Sequence, residues 1–266
     1  MDSLIGLNAL PTSVREQLYV RLIPVELLRR CGVDARRLRG AGGERLVRVT
    51  TGEDGSWARV ELRAREHDRD PMLLVDLGTS PFGPPELSLV QINDPDAPRY
   101  GIDRDDEGHD TLLGTASRNV REEARAAADG LAPGQVRRGL RMLARVLECM
   151  DGFCRLLGQD FYLVEPLFYH SALLYERHGC DYFMGRDRME AIHEAFQPGG
   201  ALYERLDDST PFRRRGFHAS VRGRSWAIHD GILGQPFCDG GRGVNVKMYR
   251  VPGRPAGVTT FPGAVY

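Results

Sequence analysis

The stretch DFYLVEPLFYHSALLYERHGCDYFMG, residues 160–185, decides the fold, because it holds a strand, a turn, a helix and a second strand in twenty-six residues. Residues 161–164 are a short run of aromatic and β-branched types, which is typical of a buried strand. Residues 172–178 have one apolar and one polar helical face, and Gly179 stops the helix. Residues 182–184 predict the return strand. This order predicts a sheet with parallel strands, in which ligands lie beyond the carboxyl ends.

Segments upstream of this stretch predict the rest of the sheet. Runs with period-two alternation are separated by short turns, which favours antiparallel neighbours. The predicted strands are residues 46–49, 57–62, 72–77 and 87–92, and the predicted helices are residues 11–30 with a break at Pro24, 118–128 and 136–157. We therefore predict an α/β (α+β) fold with a mixed, partly antiparallel central sheet of about six to seven strands flanked by helices.

The downstream part predicts a helix at residues 187–196, an arginine-rich stretch at 209–237 and a final edge strand in VNVKMYRV, residues 244–251. No segment has the composition of a linker. We therefore predict a single domain, residues 1–266. It has a helical N-terminal extension (1–40), a core (45–185) and a C-terminal part with helix, arginine-rich loop and edge strand (186–266).

Composition limits the class of protein. The 266 residues are 41% hydrophobic and 27% charged, and 36 basic against 37 acidic side chains give a net charge of −1, which argues against a general nucleic-acid surface. Neither a long apolar run nor a signal segment is present, so we expect a cytoplasmic protein with no membrane partner and a small-molecule substrate; a homo-oligomer stays open. Five cysteines without a CxxC pair predict buried free thiols, Cys238 among them, and the single lysine, Lys247, is typical of a high-GC bacterial gene.

SALLYERHGCDYFMG, residues 171–185, resembles the closing helix and strand of the GCN5-related N-acetyltransferase superfamily. The resemblance covers roughly residues 71–185, and "LYERHG" is its sharp element. His170 stands near the expected asparagine, and Cys180 replaces the usual phenylalanine. The resemblance implies an acyl-CoA-dependent N-acyltransferase, with acetyl-CoA or another acyl-CoA as co-substrate and an amine-bearing small molecule or peptide as acceptor. It points to Tyr175 as the general acid near the cofactor sulfur.

The same family holds the cofactor pyrophosphate on a Q/R-x-x-G-x-G/A loop that opens a long helix. The nearest segment here is residues 130–150, with Gln135, Arg137, Arg138 and Gly139 at the predicted helix start. Arg138 stands where the first loop glycine is expected, so the spacing differs from the motif. Arginine side chains can nevertheless bind phosphate through forked donors. These four residues are the predicted cofactor site, and an ordinary helix start with a basic exposed face is the alternative.

Three further residues are predicted to act in catalysis. Glu165 follows the strand at 161–164, where sites of α/β proteins collect. The sequence AIHDG places His229 beside Asp230 at the predicted end of another strand, and a histidine is readily poised for proton transfer at neutral pH. In the resulting mechanism Glu165 or His229 deprotonates an amine, and Tyr175 protonates the leaving thiolate.

Two other functions stay open on the sequence. Glu165, His170 and His229 could form a two-histidine, one-carboxylate metal site, although the preferred interpretation contains no metal. The arginine-rich stretch could instead belong to a noncatalytic protein that binds an anionic ligand. It contains the following side chains: Arg213, Arg214, Arg215, His218, Arg222, Arg224, His229 and Asp230. The acidic residues 103–108 fit half of a calcium loop, but turn chemistry explains them better.

Overall fold

The structure is a computed structural model that describes residues 3–234, 237 and 244–266, so the prediction for Cys238 lies outside the described residues. The helices and strands occur in the following order: α1 Leu4–Asn8, α2 Thr12–Tyr19, a 3-10 turn Val20–Leu22, α3 Val25–Arg30, β1 Val47–Thr51, β2 Trp57–Leu62, β3 Leu73–Thr79, β4 Pro85–Ile92, α4 Val120–Ala128, α5 Leu143–Leu156, β5 Tyr162–Val164, α6 Tyr169–Arg177, β6 Asp181–Met184, α7 Arg186–Ala195, α8 Ala201–Glu204, a 3-10 turn Arg215–Ala219, α9 Val221–His229 and β7 Lys247–Arg250.

The described strands form one seven-stranded sheet in the order β1-β2-β3-β4-β5-β7-β6. The first four pair antiparallel as chain neighbours, and β4 pairs parallel with β5. The predicted fold class, a mixed and partly antiparallel sheet flanked by helices, is therefore confirmed. One detail was wrong: β7 was predicted as an edge strand, but it lies between β5 and β6. Its short, alternating sequence does not distinguish an edge position from an interior one.

By its contacts the chain divides into two compact units, each built from separate stretches. The first unit comprises residues 1–97, 139–165 and 249–256. Its core lies where α5 buries Val146, Leu147, Met150 and Phe153, and the Phe153 ring stacks on Tyr19 at 5.5 Å. Asp151 of the same helix accepts a hydrogen bond from the Tyr162 hydroxyl at 3.0 Å.

The second unit comprises residues 98–138, 166–248 and 257–266. One apolar cluster there joins Tyr100, Ile102, Ala126, Leu131 and Val136. Helix α9 is buried along most of its length, with Trp226 stacked on Phe212 at 5.0 Å and donating from Nε1 to the Leu131 carbonyl at 2.8 Å. The prediction that residues 225–228 form a strand was wrong. A helix buried on all sides shows no amphipathic period, so its sequence has no helical signal.

The start of α5 also differs from the prediction. Periodicity predicted a helix from residue 136, but the helix begins at Leu143. The apolar stripe continues upstream through Val136 and Leu140, so the hydrophobic pattern could not locate the boundary. Arg141 has a φ of 58°, a left-handed conformation that interrupts a right-handed helix. The predicted cofactor residues 135–139 therefore lie in a loop that precedes the helix.

Candidate functional site

The parallel strands β4 and β5 pair over only a short stretch within the first unit. Their register contains two pairs, Glu86 with Leu163 and Leu87 with Val164, and the Glu165 amide then donates to the Leu87 carbonyl at 3.0 Å. β4 continues to Ile92, five residues beyond its last partner in β5. These last five residues of β4 are half-buried, whereas its first three are buried. Residues 88–92 therefore lack a partner in β5, which leaves a gap in strand pairing at the carboxyl end of β4.

The amino terminus of α5 adjoins the same gap. A Cβ atom built on Gly139 would lie 3.1 Å from the Ile92 carbonyl oxygen, so the chain entering α5 passes the last residue of β4 closely. No side chain caps α5, whose N-cap residue is Met142. The free N–H groups and the dipole of a fourteen-residue helix attract anions at this end. The exposed guanidinium of Arg141 belongs to this turn.

Three of the predicted cofactor residues lie in the second unit. Gln135 accepts a hydrogen bond from the Ala132 amide at 2.8 Å, so its side chain stabilises its own turn. Arg137 is half-buried and Arg138 is exposed. Of the four predicted cofactor residues, only Gly139 approaches β4. Arg141, which lies in the turn before α5, was not identified from the sequence.

Glu165 is exposed and lies where β5 ends, beside the free half of β4. This position agrees with the prediction that Glu165 follows the strand at its carboxyl end. A carboxylate beside this unpaired edge of β4 can take up a proton, directly or through water.

Tyr175, the predicted general acid, lies in the second unit within α6 and is 6% exposed. Burial raises the pKa of Tyr175 well above its ordinary value, and the neighbouring Cys180 adds to that rise. The hydroxyl therefore stays protonated at neutral pH, as an acid requires, but little of the side chain is open to solvent. A different residue of the "LYERHG" helix has well-defined partners, because Glu176 accepts hydrogen bonds from the Tyr182 hydroxyl and from the Thr260 amide at 3.0 Å.

His229 and Asp230 belong to a buried network of charges in the second unit. The His229 Nε2 atom lies 2.8 Å from Glu123 Oε1, and both side chains are at most 2% exposed. Arg118 joins the two acids, since it donates from Nε to Glu123 Oε2 at 2.7 Å and from Nη1 to Asp230 Oδ1 at 2.9 Å. Arg213 donates from Nε to Asp230 Oδ2 at 2.9 Å. Two guanidiniums thus balance two carboxylates, which favours a structural role for this network.

His170 lies near this network but has different partners. Its Nδ1 atom is 2.9 Å from Ser225 Oγ, and its ring stacks on Phe168 at 5.6 Å. The Phe168 ring also contacts the His229 ring edge to face at 5.6 Å. Burial, with smaller contributions from the neighbouring His229 and Arg222, lowers the pKa of His170 to about 3. His170 is therefore neutral in the folded protein.

The structure does not bring together the predicted metal ligands Glu165, His170 and His229. Within the part of the chain that the structure describes, the one group of three potential ligands within 4.8 Å of each other is Asp105, Glu107 and His109. That group lies in the acidic turn, where Asp105 accepts hydrogen bonds from the His109 amide at 2.7 Å and from the Ser117 hydroxyl at 3.2 Å. The turn explanation of this segment therefore agrees with its local hydrogen bonds.

The arginine-rich stretch is divided among different environments. Arg213 pairs with Asp230, and the exposed Arg215 pairs with Asp208 at 3.3 Å. Arg222 lies over the Tyr266 ring at 5.6 Å. Arg224 is buried and forms no ion pair with a described residue. The sequence could not separate these cases, because each depends on which side chains the folded chain brings together.

No family model, curated protein or solved structure matches this chain. Among the described residues, none of the helices is long and apolar enough to cross a membrane. The function therefore has to be inferred from the geometry and chemistry of the chain itself.

Proposed function

We propose that the protein is an acyl-CoA-dependent N-acyltransferase that transfers an acyl group to an amine-bearing small molecule or peptide. The observation that carries the proposal is the edge of β4 that extends unpaired beyond β5, beside the uncapped amino terminus of α5. An extended pantetheine arm has amides that can pair with an open strand edge, and its pyrophosphate suits the amino terminus of a long helix. Both features belong to the first unit, and Gly139 brings them next to each other.

The chemistry is a direct transfer. The amine attacks the thioester carbonyl, the carbon–nitrogen bond forms, the carbon–sulfur bond breaks, and the thiolate leaves as CoA. The attacking amine must lose a proton, and we assign this step to Glu165, the exposed carboxylate where β5 ends. Protonation of the thiolate by Tyr175 stays a prediction from the family resemblance. His229 and Asp230 have no catalytic role in this proposal, since their partners are already in place. A cytoplasmic location likewise stays a prediction.

The binding part of the proposal is tested with acetyl-CoA and desulfo-CoA in calorimetry and thermal-shift measurements. We expect saturable binding and a higher melting temperature. Arg141→Glu places a negative charge at the amino terminus of α5, so we expect about tenfold weaker binding or more. Arg48→Glu makes the same charge change on exposed β1 and serves as the matched control. Equal loss in both variants, or no binding of either ligand to the natural chain, contradicts the proposal.

The catalytic part is tested with Glu165→Gln and Tyr175→Phe. With a panel of amine acceptors and acetyl-CoA, we expect Glu165→Gln to lower kcat by about a hundredfold or more with little change in acetyl-CoA affinity. If Tyr175 is the acid, Tyr175→Phe also lowers kcat and changes the alkaline limb of the pH–rate profile. Wild-type turnover in Glu165→Gln rejects its role as the base.

A further inference from the structure

The antiparallel strands of the first unit carry a cavity of about 350 Å³ on one face of the sheet. This volume lies within the range of small-molecule sites, which runs from about 300 to about 1,000 Å³. The cavity is lined by Trp57, Arg59, Asp76, Leu77, Gly78 and Ser88. Successive side chains of a strand point to opposite faces, so β2 buries Ala58 and Val60 on one face and places Trp57 and Arg59 on the other.

Two glycines on either side of Trp57 explain why the cavity exists. Gly78 of β3 is the register partner of Trp57, and the Gly52 amide, just after β1, donates to the Trp57 carbonyl at 3.0 Å. A Cβ atom on Gly52 would lie 2.6 Å from Trp57 Nε1, so the indole lies over Gly52. No described atom lies within 4 Å of a Cβ atom on Gly78. The indole therefore covers one glycine and leaves open space above the other.

Trp57 presents an aromatic surface beside this open space. It is 43% exposed, whereas Trp226, in the core of the second unit, is 1% exposed. An exposed indole is unfavourable because its apolar surface stays in contact with water. A ligand with an apolar face gains this free energy when it stacks on the ring.

The charged side of the cavity offers donors and acceptors next to each other. Arg59 donates from Nε to Asp76 Oδ1 and from Nη2 to Asp76 Oδ2, both at 2.7 Å. This bidentate pair balances the two charges of the lining, so the cavity favours a neutral ligand over an ion. The guanidinium has more N–H donors than the pair uses, and each carboxylate oxygen can accept a second hydrogen bond.

Ser88 adds a hydroxyl to this polar side. In the register of β3 with β4, Asp76 pairs with Leu89 and Leu77 pairs with Leu87, so Ser88 is the extra residue of β4. An extra residue of this kind bends the strand and changes the direction of its side chain. The Ser88 hydroxyl donates to the Asp76 carbonyl at 3.3 Å, which leaves its oxygen able to accept from a ligand.

We propose that this cavity binds a neutral sugar ring, which stacks on Trp57 and forms hydrogen bonds through neighbouring hydroxyls with Arg59, Asp76 and Ser88. A pyranose has C–H groups on its faces and hydroxyls around its rim, and each hydroxyl both donates and accepts. The lining has the same division into one apolar surface and a row of donors and acceptors. A nucleoside base also stacks on indole, but its second face would remain in water beside a single aromatic ring.

The sugar site is separate from the proposed acyl-CoA site in its chemistry and in most of its residues. Its lining comes from β2, β3 and Ser88 of β4, whereas the acyl-CoA proposal rests on the edge of β4 towards β5 and on the amino terminus of α5. Arg141→Glu should therefore leave sugar binding unchanged. Either proposal can fail without the other.

The binding test is a titration of the full chain, followed by saturation-transfer difference NMR. The probes are the methyl glycosides of glucose, galactose, mannose, xylose and N-acetylglucosamine, with adenosine for comparison. We expect at least one glycoside to bind saturably and to protect Trp57 from acrylamide quenching, to which the buried Trp226 contributes little. Absence of saturable binding by every glycoside, or adenosine binding at least as tight as the best glycoside, overturns the proposal.

Gly78→Val is the decisive variant, because it fills the open space without touching Trp57 or the Arg59–Asp76 pair. A β-branched residue suits a strand, and no described atom would clash with its Cβ, so we expect the melting temperature to stay the same or rise. The affinity for the bound glycoside should fall about tenfold or more. Thr79→Val, at the next and exposed position of β3, is the matched control and should bind normally. Unchanged affinity in Gly78→Val overturns the proposal.

Trp57→Leu tests the stacking surface by the same NMR titration. We expect about tenfold weaker binding or more, whereas Phe82→Leu, at an exposed aromatic residue outside the lining, should bind normally. Equal loss in both variants overturns the proposal, because it indicates unspecific contact with exposed rings. If Trp57→Leu fails to fold, the comparison of Gly78→Val with Thr79→Val still decides.

Discussion

Gly114 lies beside the buried His229–Glu123 pair in a backbone conformation that requires glycine. Its φ is 88°, and a Cβ atom there would lie 2.8 Å from Glu123 Oε1 and 2.9 Å from His229 Nε2. Glycine is therefore required both by the left-handed backbone and by the space that the His229–Glu123 pair occupies. The sequence contains no local signal of this, because the pair is formed by residues 106 positions apart.

We expect Gly114→Ala to lower the free energy of unfolding by about 2 kcal/mol more than Gly108→Ala does. Gly108 is the matched control, since its φ is 86° but nothing lies within 4 Å of a Cβ atom there. Urea denaturation of both variants measures the difference. Equal losses would show that only backbone strain matters and that the pair tolerates the methyl group.

His170 gives the protein a pH dependence whose sign follows from its lowered pKa. The unfolded chain binds a proton near the ordinary pKa of 6.5, whereas the folded chain does so only near 3. His170 therefore contributes full stability above about pH 6.5 and progressively less as the pH falls towards 3. From about pH 7.5 to about pH 5 its contribution should fall by about 2 kcal/mol.

Urea denaturation at these two pH values, on the natural chain and on His170→Gln, measures this contribution. We expect the variant to be less stable at the higher pH but to lose less on acidification. His67→Gln, at an exposed histidine, should keep the natural pH dependence. An unchanged pH dependence in His170→Gln would show that the buried imidazole is not the group responsible.

At the scale of elements, α5 and α9 differ in how their amino termini are satisfied. α5 begins without a side-chain cap beside the gap at β4, which is why its N–H groups are available to an anion. α9 begins at Ser220, whose Oγ atom accepts from the Gly223 amide at 3.0 Å. The capped helix carries buried structural groups, and the uncapped one borders the candidate site.

We expect Ser220→Ala to destabilise the protein by about 1 kcal/mol, and Ser220→Asp to retain most of the natural stability, because an aspartate also caps. Chemical denaturation of the three proteins measures the effect. Ser3 caps the five-residue helix α1 by accepting from the Gly6 amide at 3.1 Å, and Ser3→Ala gives the corresponding change on this shorter helix, where we expect a smaller loss. If Ser220→Asp is as unstable as Ser220→Ala, the hydroxyl does not act as a cap.

Elements differ in how well sequence patterns predicted them. The four antiparallel strands and α4 agree with their patterns within a few residues; β1 and β2 alternate between buried and more exposed positions, as their period-two patterns predict. α9 was missed because it is buried on every side, and the start of α5 was misplaced because its apolar stripe extends beyond it. The place of Glu165 after a strand could be predicted, but the close approach of Gly139 to Ile92 could not.

The net charge of the whole molecule follows directly from its sequence. A net charge of −1 from 36 basic and 37 acidic side chains leaves little repulsion between copies near neutral pH. We expect solubility at low salt to be lowest near pH 7 and to rise on either side, measured as the saturating concentration after precipitation. A monotonic change through this range would show that local patches, rather than net charge, govern association.

The sequence by itself determined the fold class, most of the elements and the place of Glu165 at a strand end, because side-chain period and turn chemistry act over a few residues. Only the tertiary structure decided that β7 lies between β5 and β6, and that Arg118 joins Asp230 across 112 positions while Arg224 pairs with no carboxylate of the described residues. Such partners are selected by burial and by the requirement that buried polar groups be satisfied, which depend on the packed chain as a whole.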